Sequence, residues 1–260
     1  MDGVNRTLYI PLYGKALVSE KGLFLSDRKA EEIWAAEGFP LKGKAKSKWL
    51  AYYMGIRGAV FDRWLAQKMA EYPEAPVIHI GCGLDSRVLR VGTRGHLWYD
   101  VDFPQVIAER QRYYQESDCY RMISGDVRDH KWLAEIPESS CAIVVMEGVS
   151  MYLNRQELES FARDLGTRFE SVALLMDCYT PLAARMSKYK NPVHDVGVTQ
   201  VFGVEDPQFL EGQGLAYVAE RSMTPQDLIE ELQGTEKRIF SKLYAGSFSK
   251  KLYRLYEYKK

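Results

Sequence analysis

The hydrophobic positions along the chain change their period twice. From Ser47 to about Tyr72 they recur at helical spacing, with Leu50, Tyr53, Met54, Phe61, Trp64, Leu65 and Met69 on one wide face, which predicts a long helix. Before it, "SDRKAEEIWAAEGF" carries a capping residue at Ser26 and early acidic residues, the marks of a helix start. From residue 76 onward, short apolar runs bounded by turn residues alternate with helical stretches. Strands are predicted at 76–81 ("PVIHIG"), 96–102 ("HLWYDVD"), 119–126 ("CYRMISGD"), 141–148 ("CAIVVMEG") and 171–179 ("SVALLMDCY"), with helices at 104–116 and 154–169, the latter capped by Asn154. The run at 141–148 is the most hydrophobic strand and belongs at the centre of a sheet. The tail differs again: 190–203 is turn-rich, 214–223 alternates like a strand, 225–234 reads as a helix and 250–260 as a late strand. The expected fold is α/β, a doubly wound, mostly parallel Rossmann-like sheet covered on both faces, with a late antiparallel addition at its edge. Residues 1–75 are expected to form an N-terminal helical lid or substrate segment, and 76–260 the core of a single compact unit.

Composition narrows the partners. The chain has 260 residues, 46% of them hydrophobic, enough for one sizeable core. Lys plus Arg number 35, as do Asp plus Glu, so the bulk charge calls for neither nucleic acid nor an anionic membrane. Cys82, Cys119, Cys141 and Cys178 stand at no metal-ligand spacing and read as reduced thiols, with no metal expected. "MDGVNRTLYIPLYG" lacks an apolar signal core and no run reaches the length of a membrane span, so a cytoplasmic protein is expected. Nothing in the pattern addresses oligomeric state.

The chemistry concentrates at the ends of the predicted strands. The first strand stops at Gly81-Cys82-Gly83, and glycines there permit a ligand close to the main chain. Asp100 and Asp102 end the second strand, Asp102 lying 19 residues beyond Gly83. A carboxylate about 20 residues past a glycine turn is placed to accept from ribose hydroxyls. Two cofactor classes fit so far. A dinucleotide site wants a third glycine, which this run lacks, and Asp85 would repel a pyrophosphate. A cationic, phosphate-free nucleoside, S-adenosylmethionine, meets no such repulsion. Asp126, ending the third strand, could accept from an adenine amino group, with the Val127 amide beside the ring, and Glu147, ending the fourth, would lie near a methionyl end.

"VIHIGCGLDSR", "WYDVDFP", "GDVRD" and "MEGVSMYL" together resemble the leucine carboxyl methyltransferase-like family, and more closely its branch of bacterial polyketide-type O-methyltransferases; the opening "TLYIPLYGKALVSEKGLFLSDRKAEEI" resembles that branch as well. The resemblance covers about residues 7 to 170, more loosely the remainder. It implies a class I methyltransferase fold, S-adenosylmethionine as cofactor and S-adenosylhomocysteine as product. It gives Arg57, a charge inside the apolar stripe, the cofactor's carboxylate; Gly81 the close approach; Asp102, with Asp100 beside it, the ribose; Asp126 and Val127 the adenine; and Glu147 the acid after strand four. Cys82, Gly83 and Asp85 complete the cofactor turn. Lys15 stands where the family usually has a basic residue, often arginine, and His79 where it often has asparagine.

Bland alternatives stand beside these readings. Arg57 could be a structural ion pair, the strand-end acids solvated loop carboxylates, His79 a core histidine, and Cys82 a small filler or a reactive thiol. Tyr152 either lines an acceptor pocket or packs. Lys188, Lys190 and His194 could face an anionic acceptor or form a solvated loop. The leading expectation is an O-methyltransferase acting on a carboxylate or acidic hydroxyl of a small molecule. The alternatives are a protein C-terminal carboxyl methyltransferase, an NAD-dependent oxidoreductase and a non-catalytic S-adenosylmethionine-binding protein. No general base is evident, since His79, His96, His130 and His194 are scattered along the chain.

Overall fold

The computed structural model describes residues 8–37, 41, 43–187 and 200–260, without the side chains of Lys44 and Lys250. Within these residues seven strands form one sheet: β1 (Val77–Ile80), β2 (Trp98–Asp102), β3 (Tyr120–Ser124), β4 (Cys141–Met146), β5 (Ser171–Tyr179), β6 (Ala216–Arg221) and β7 (Tyr253–Lys259), in the order β3-β2-β1-β4-β5-β7-β6. The first five pair in parallel, and β7 runs antiparallel to both its neighbours. The doubly wound sheet with a late antiparallel strand is therefore present. The predicted boundaries shrink by one to three residues at most strand ends, where turns begin.

Period-two alternation explains the two layers. Ile78, Ile80, Tyr99, Val101, Val144, Met146, Leu174 and Met176 point to one face and pack on Phe161 and Leu165 of α6 (Arg155–Arg168). Val77, Trp98, Ile143, Val145, Ala173 and Leu175 point to the other, against Phe61, Trp64 and Leu65 of α3 (Lys48–Glu71) and against α1 (Tyr9–Glu20) and α2 (Arg28–Glu37). The N-terminal segment thus shares its core with the sheet. Asn154 caps α6 with a full capping box: its side chain accepts from the Glu157 amide at 3.0 Å, and Glu157 accepts from the Asn154 amide at 2.7 Å.

Two helix boundaries differ from the sequence pattern. The cap of α2 is Asp27 rather than Ser26, its carboxylate accepting from the Ala30 amide at 2.9 Å. The predicted helix at 104–116 stops at Arg110 as α5 (Pro104–Arg110), following α4 (Arg87–Val91). There Arg110 is drawn inward onto Asp100 at 2.5 Å, and Tyr114 turns back to donate to the Leu84 carbonyl at 2.9 Å. Part of the turn-rich tract at 190–203 lies outside the described residues.

Helix α1 crosses α3 on small residues. A Cβ at Gly14 would stand 2.7 Å from Met54 Cβ, and one at Gly55 would stand 2.6 Å from a Val18 methyl. Ala normally improves a helix interior over Gly by about 1 kcal/mol. Gly55→Ala is nevertheless expected to destabilise the protein by about 1–3 kcal/mol through overpacking against Val18. Urea unfolding checks the sign, and a stabilised variant would show that the crossing tolerates a wider spacing.

Candidate active site

The strand order reverses between β1 and β4, and that switch point opens the crevice in which doubly wound sheets hold ligands. A cavity of about 1130 Å³ occupies it, running from Gly81, Asp102, Asp126 and Val127 past Arg57 and Glu147 to Tyr53, Tyr152, Tyr179 and Tyr253. Its size exceeds the roughly 300–1,000 Å³ usual for one drug-sized ligand.

The face turned toward α3 is apolar low on the strands and polar at their carboxyl ends. Below lie Val77, Trp98, Ile143 and Ala173; above come His79, Asp100, Glu147 and Asp177. Glu147 is the hub. Its Oε1 accepts from Arg57 Nε at 3.0 Å and from Lys15 Nζ at 3.2 Å, and its Oε2 accepts from Arg87. Burial opposes the charge on Glu147, but Lys15, Arg87 and Arg57 outweigh it and hold the carboxyl well below its usual range. Asp85 accepts from Lys15 and from Arg90, each at 2.6 Å. Burial opposes its charge too, and Arg90, Lys15 and Arg87 prevail, so it is held well below the ordinary carboxylate range. Lys15 comes from α1, Arg57 from α3, and Arg87 and Arg90 from α4, so three buried cations and the half-buried Arg90 converge on two acids.

Arg57 lies among protein partners, which refines the expectation that its counter-ion is a ligand. Besides Glu147, its Nη1 donates to Asp177 at 3.1 Å and to the Tyr253 hydroxyl at 2.9 Å. It also lines the cavity, so these bonds orient a cation at the wall.

Asp102 half-faces the cavity. Its Oδ2 accepts from the Gly83 amide and its Oδ1 from the Phe103 amide, both at 2.8 Å, leaving lone pairs on each oxygen. Burial raises this carboxyl to about 6, against the pull of the two amides and of Arg110. Asp126 and Val127 lie on the same wall, half-buried. Burial works against the charge of Asp126, but the Arg128 fork at 2.5–3.0 Å holds it below its usual value.

Asp100 is not on the cavity wall. It is wholly buried and saturated by Arg110 at 2.5 Å, Tyr120 at 2.7 Å, Trp98 at 2.9 Å and His79 at 3.1 Å, which corrects its placement beside the ribose. His79 is fixed by the same network. Arg87 can only donate, so Nε2 accepts from it at 2.9 Å and Nδ1 carries the proton that faces Asp100. Burial and Arg87 lower the His79 pKa, and its lone pair is taken, so it is no free base. Burial likewise raises the Cys82 thiol well above its usual value, the environment of a small filler rather than of an activated thiol.

The glycine turn has a cause inside the chain. Gly81 adopts φ +65°, and a Cβ there would stand 2.1 Å from a Val149 methyl; Gly83 adopts φ +51°. Side chains are excluded at Gly81 by the loop after β4 as well as by any ligand.

Sequence reasoning missed Asp177, Tyr253, Arg87 and Arg90. Asp177 carried a signal: a charge at an inward position of an otherwise apolar strand. Tyr152 lines the cavity from the turn Ser150–Tyr152. Lys188, Lys190 and His194 lie outside the described residues.

A parallel sheet with a carboxylate beyond a glycine turn, further acids at the next strand ends and a chamber beside them defines an S-adenosylmethionine-dependent methyltransferase. Solved structures share this fold. The magnesium protoporphyrin IX methyltransferase (ChlM) of Synechocystis PCC 6803 with bound SAH superposes with a TM-score of 0.53 at 11% identity, over 90% of this chain and 93% of that one. An S-adenosylmethionine-dependent methyltransferase from Mesorhizobium loti gives 0.54 at 9% identity, over 76% and 98%. The family model for leucine carboxyl methyltransferase matches residues 5–165, and the tetracenomycin polyketide synthesis O-methyltransferase TcmP of Streptomyces glaucescens is 30% identical over 241 residues, covering 91% of this chain and 89% of that protein. The chain belongs to the leucine carboxyl methyltransferase family.

Gly81→Ala is expected to cost about 1–3 kcal/mol from the left-handed backbone alone, with the Val149 collision added. The double variant Gly81→Ala/Val149→Ala should recover the collision and retain the backbone penalty in urea unfolding. If Val149→Ala brings no recovery, Val149 is not what excludes the side chain.

Proposed function

We propose that the protein transfers the methyl group of S-adenosylmethionine to an oxygen of a small-molecule acceptor, either a carboxylate or an acidic hydroxyl. One observation carries the reading: the cavity has a charged half, at Arg57, Asp102, Asp126 and Glu147, continuous with a half walled by apolar and tyrosyl side chains.

The residues of the charged half fit the cofactor. Asp102 has carboxylate lone pairs facing the cavity for ribose hydroxyls. Asp126 and Val127 stand where the adenine edge would be read, and Gly81, Cys82 and Gly83 supply the backbone wall. Arg57 takes the methionyl carboxylate by charge-assisted bonds, while Glu147 and Asp85 hold Arg57 and Lys15 in place.

The cofactor supplies a methyl group already activated on a positively charged sulfur. The protein's task is to align the acceptor oxygen and keep water out. Ile10, Pro11, Leu50, Met54 and Met151 make much of the second half apolar. Burial raises the phenols of Tyr53 and Tyr253 well above their ordinary value, so they remain neutral at pH 7. Among the described residues no histidine with a free lone pair lines this half. An acceptor that brings its own negative charge needs no base there. Residues 1–75 act as a lid on this reading, since α1 and α3 form a large part of the wall. The four free cysteines support a reducing, cytoplasmic setting. Among the described residues no helix is long and apolar enough to cross a membrane.

Calorimetric titration with S-adenosylhomocysteine, with NAD as comparison, tests the cofactor. Methylation assays on small carboxylic acids, phenols and a peptide ending in leucine then test the acceptor. Binding of NAD alone, or turnover of the peptide alone, would overturn the proposal.

The Asp102 carboxyl also sets a pH dependence. Ribose hydroxyls donate to the ionised form, so binding lowers its pKa from about 6. Affinity should therefore be level above that pH and weaken as pH falls through it, by up to about tenfold per unit. Asp102→Asn should bind S-adenosylhomocysteine more weakly and lose this step. A wild-type affinity that stays flat from about pH 5 to about pH 8 would remove the ribose role.

A further inference from the structure

Outside the region matched by the family model, two residues reach Arg57 from strands beyond β4: Tyr253, which lines the cavity, and Asp177 behind it. Tyr253 begins β7, and Asp177 lies near the end of β5. The antiparallel register places Tyr253 opposite Tyr179, and alternation puts Asp177, Tyr179 and Tyr253 on the face turned toward α3. The three groups Arg57, Asp177 and Tyr253 close a triangle: Arg57 Nη1 to the Tyr253 hydroxyl 2.9 Å, Arg57 Nη1 to Asp177 Oδ2 3.1 Å, and the Tyr253 hydroxyl to the same Oδ2 2.5 Å.

The proton positions in this triangle are determined. A guanidinium cannot accept, so the hydroxyl of Tyr253 accepts from Arg57 and its own hydrogen goes to Asp177. Asp177 is itself pinned, its Oδ1 accepting from the Gly148 amide at 2.7 Å with no exposure of the side chain. The ring of Tyr253 is held as well, stacked on Tyr53 at 6.2 Å and meeting Tyr179 edge-on at 5.1 Å. Glu147 takes Nε on the other side of Arg57. Two anchors thus clamp the guanidinium through Nε and Nη1. Its Nη2 borders Gly148, where an added Cβ would lie 3.5 Å away.

We propose that Tyr253, anchored by Asp177, is a positioning residue that fixes the Arg57 fork for the cofactor's carboxylate, an assignment that rests on the S-adenosylmethionine reading above. The aromatic wall of the acceptor half and the carboxylate-binding arginine then share one side chain: its ring belongs to the former and its hydroxyl to the latter. Removing the hydroxyl alone leaves the wall intact and takes one of the three bonds that fix the guanidinium, along with the anchor on Asp177 Oδ2.

The test compares two ligands that differ at the amino-acid end. S-adenosylhomocysteine carries the carboxylate; methylthioadenosine keeps the adenosine and the sulfur but lacks it. Calorimetry on the full chain is expected to show Tyr253→Phe binding S-adenosylhomocysteine about tenfold more weakly, the scale of one hydrogen bond lost from a charged group, with methylthioadenosine unchanged. Asp177→Asn, which removes the anchor's charge and keeps its shape, should show the same selective loss, and it decides the matter if thermal melting finds Tyr253→Phe unfolded. Equal weakening of both ligands would mean a general deformation, and no weakening would mean no positioning role; either result overturns the proposal. Failure of the wild-type protein to bind S-adenosylhomocysteine would instead remove the cofactor reading, and this assignment with it.

Discussion

The buried carboxylate of Glu147 is the constraint on which the site depends. It stands at the end of the central strand β4 with 4% of its side chain exposed. Taking such a charge from water costs several kcal/mol, and only close cations with good geometry offset it. The chain supplies three from three different elements, Lys15 on α1, Arg57 on α3 and Arg87 on α4. Each element must therefore arrive at one point, and its packing is shaped accordingly. Gly58 shows this directly: a Cβ there would lie 2.9 Å from the Cε of Lys15, so glycine clears the path by which the lysine reaches the hub. A network of this kind contributes little net stability, yet losing one member leaves an uncompensated charge inside the protein. Its effect is to make one arrangement of the N-terminal helices over the sheet much better than the others.

The same hub links the sheet to the cavity. A parallel sheet has its strand ends on one rim, and the order reverses between β1 and β4. Alternation sends apolar residues of each strand inward on both faces, but toward the carboxyl ends on the α3 side polar residues take over in four neighbouring strands: His79, Asp100, Glu147 and Asp177. Two of these, Asp100 and His79, are consumed by Arg110 and Arg87 and brace the floor. Glu147 and Asp177 instead hold Arg57 at the cavity wall. The difference lies in the neighbouring cation, not in the type of residue at the strand end.

That explains what the sequence could reveal. Strands with apolar runs and a glycine stop were legible, because period and turn chemistry are local. Asp102, Asp126 and Glu147 were legible as strand-end acids for the same reason. Asp100 resembled Asp102 in sequence, and only the inward reach of Arg110, which also ends α5 early, separates them. Gly81 was legible as a special position, but its collision partner Val149 lies across the switch point, and no local pattern names it. Tyr253 was beyond reach altogether. It comes to Arg57 only because β7 inserts antiparallel beside β5, which brings its hydroxyl to Asp177, 76 positions earlier in the chain.

The uneven distribution of charge in the cavity bears on the proposed reaction. Methyl transfer from a sulfonium to an anionic oxygen begins with two opposite charges and ends with none. Water stabilises the separated charges more than the spreading charge of the transition state, so a wall that solvates poorly favours the reaction once both partners are bound. The acceptor half has such a wall, apolar side chains interspersed with neutral phenols. Its charged counterpart is the half at Arg57, Glu147, Asp102 and Asp126, where each ion already has protein partners at 2.5–3.2 Å. Fixed charges thus serve to bind, and the place where charge must vanish is left without them.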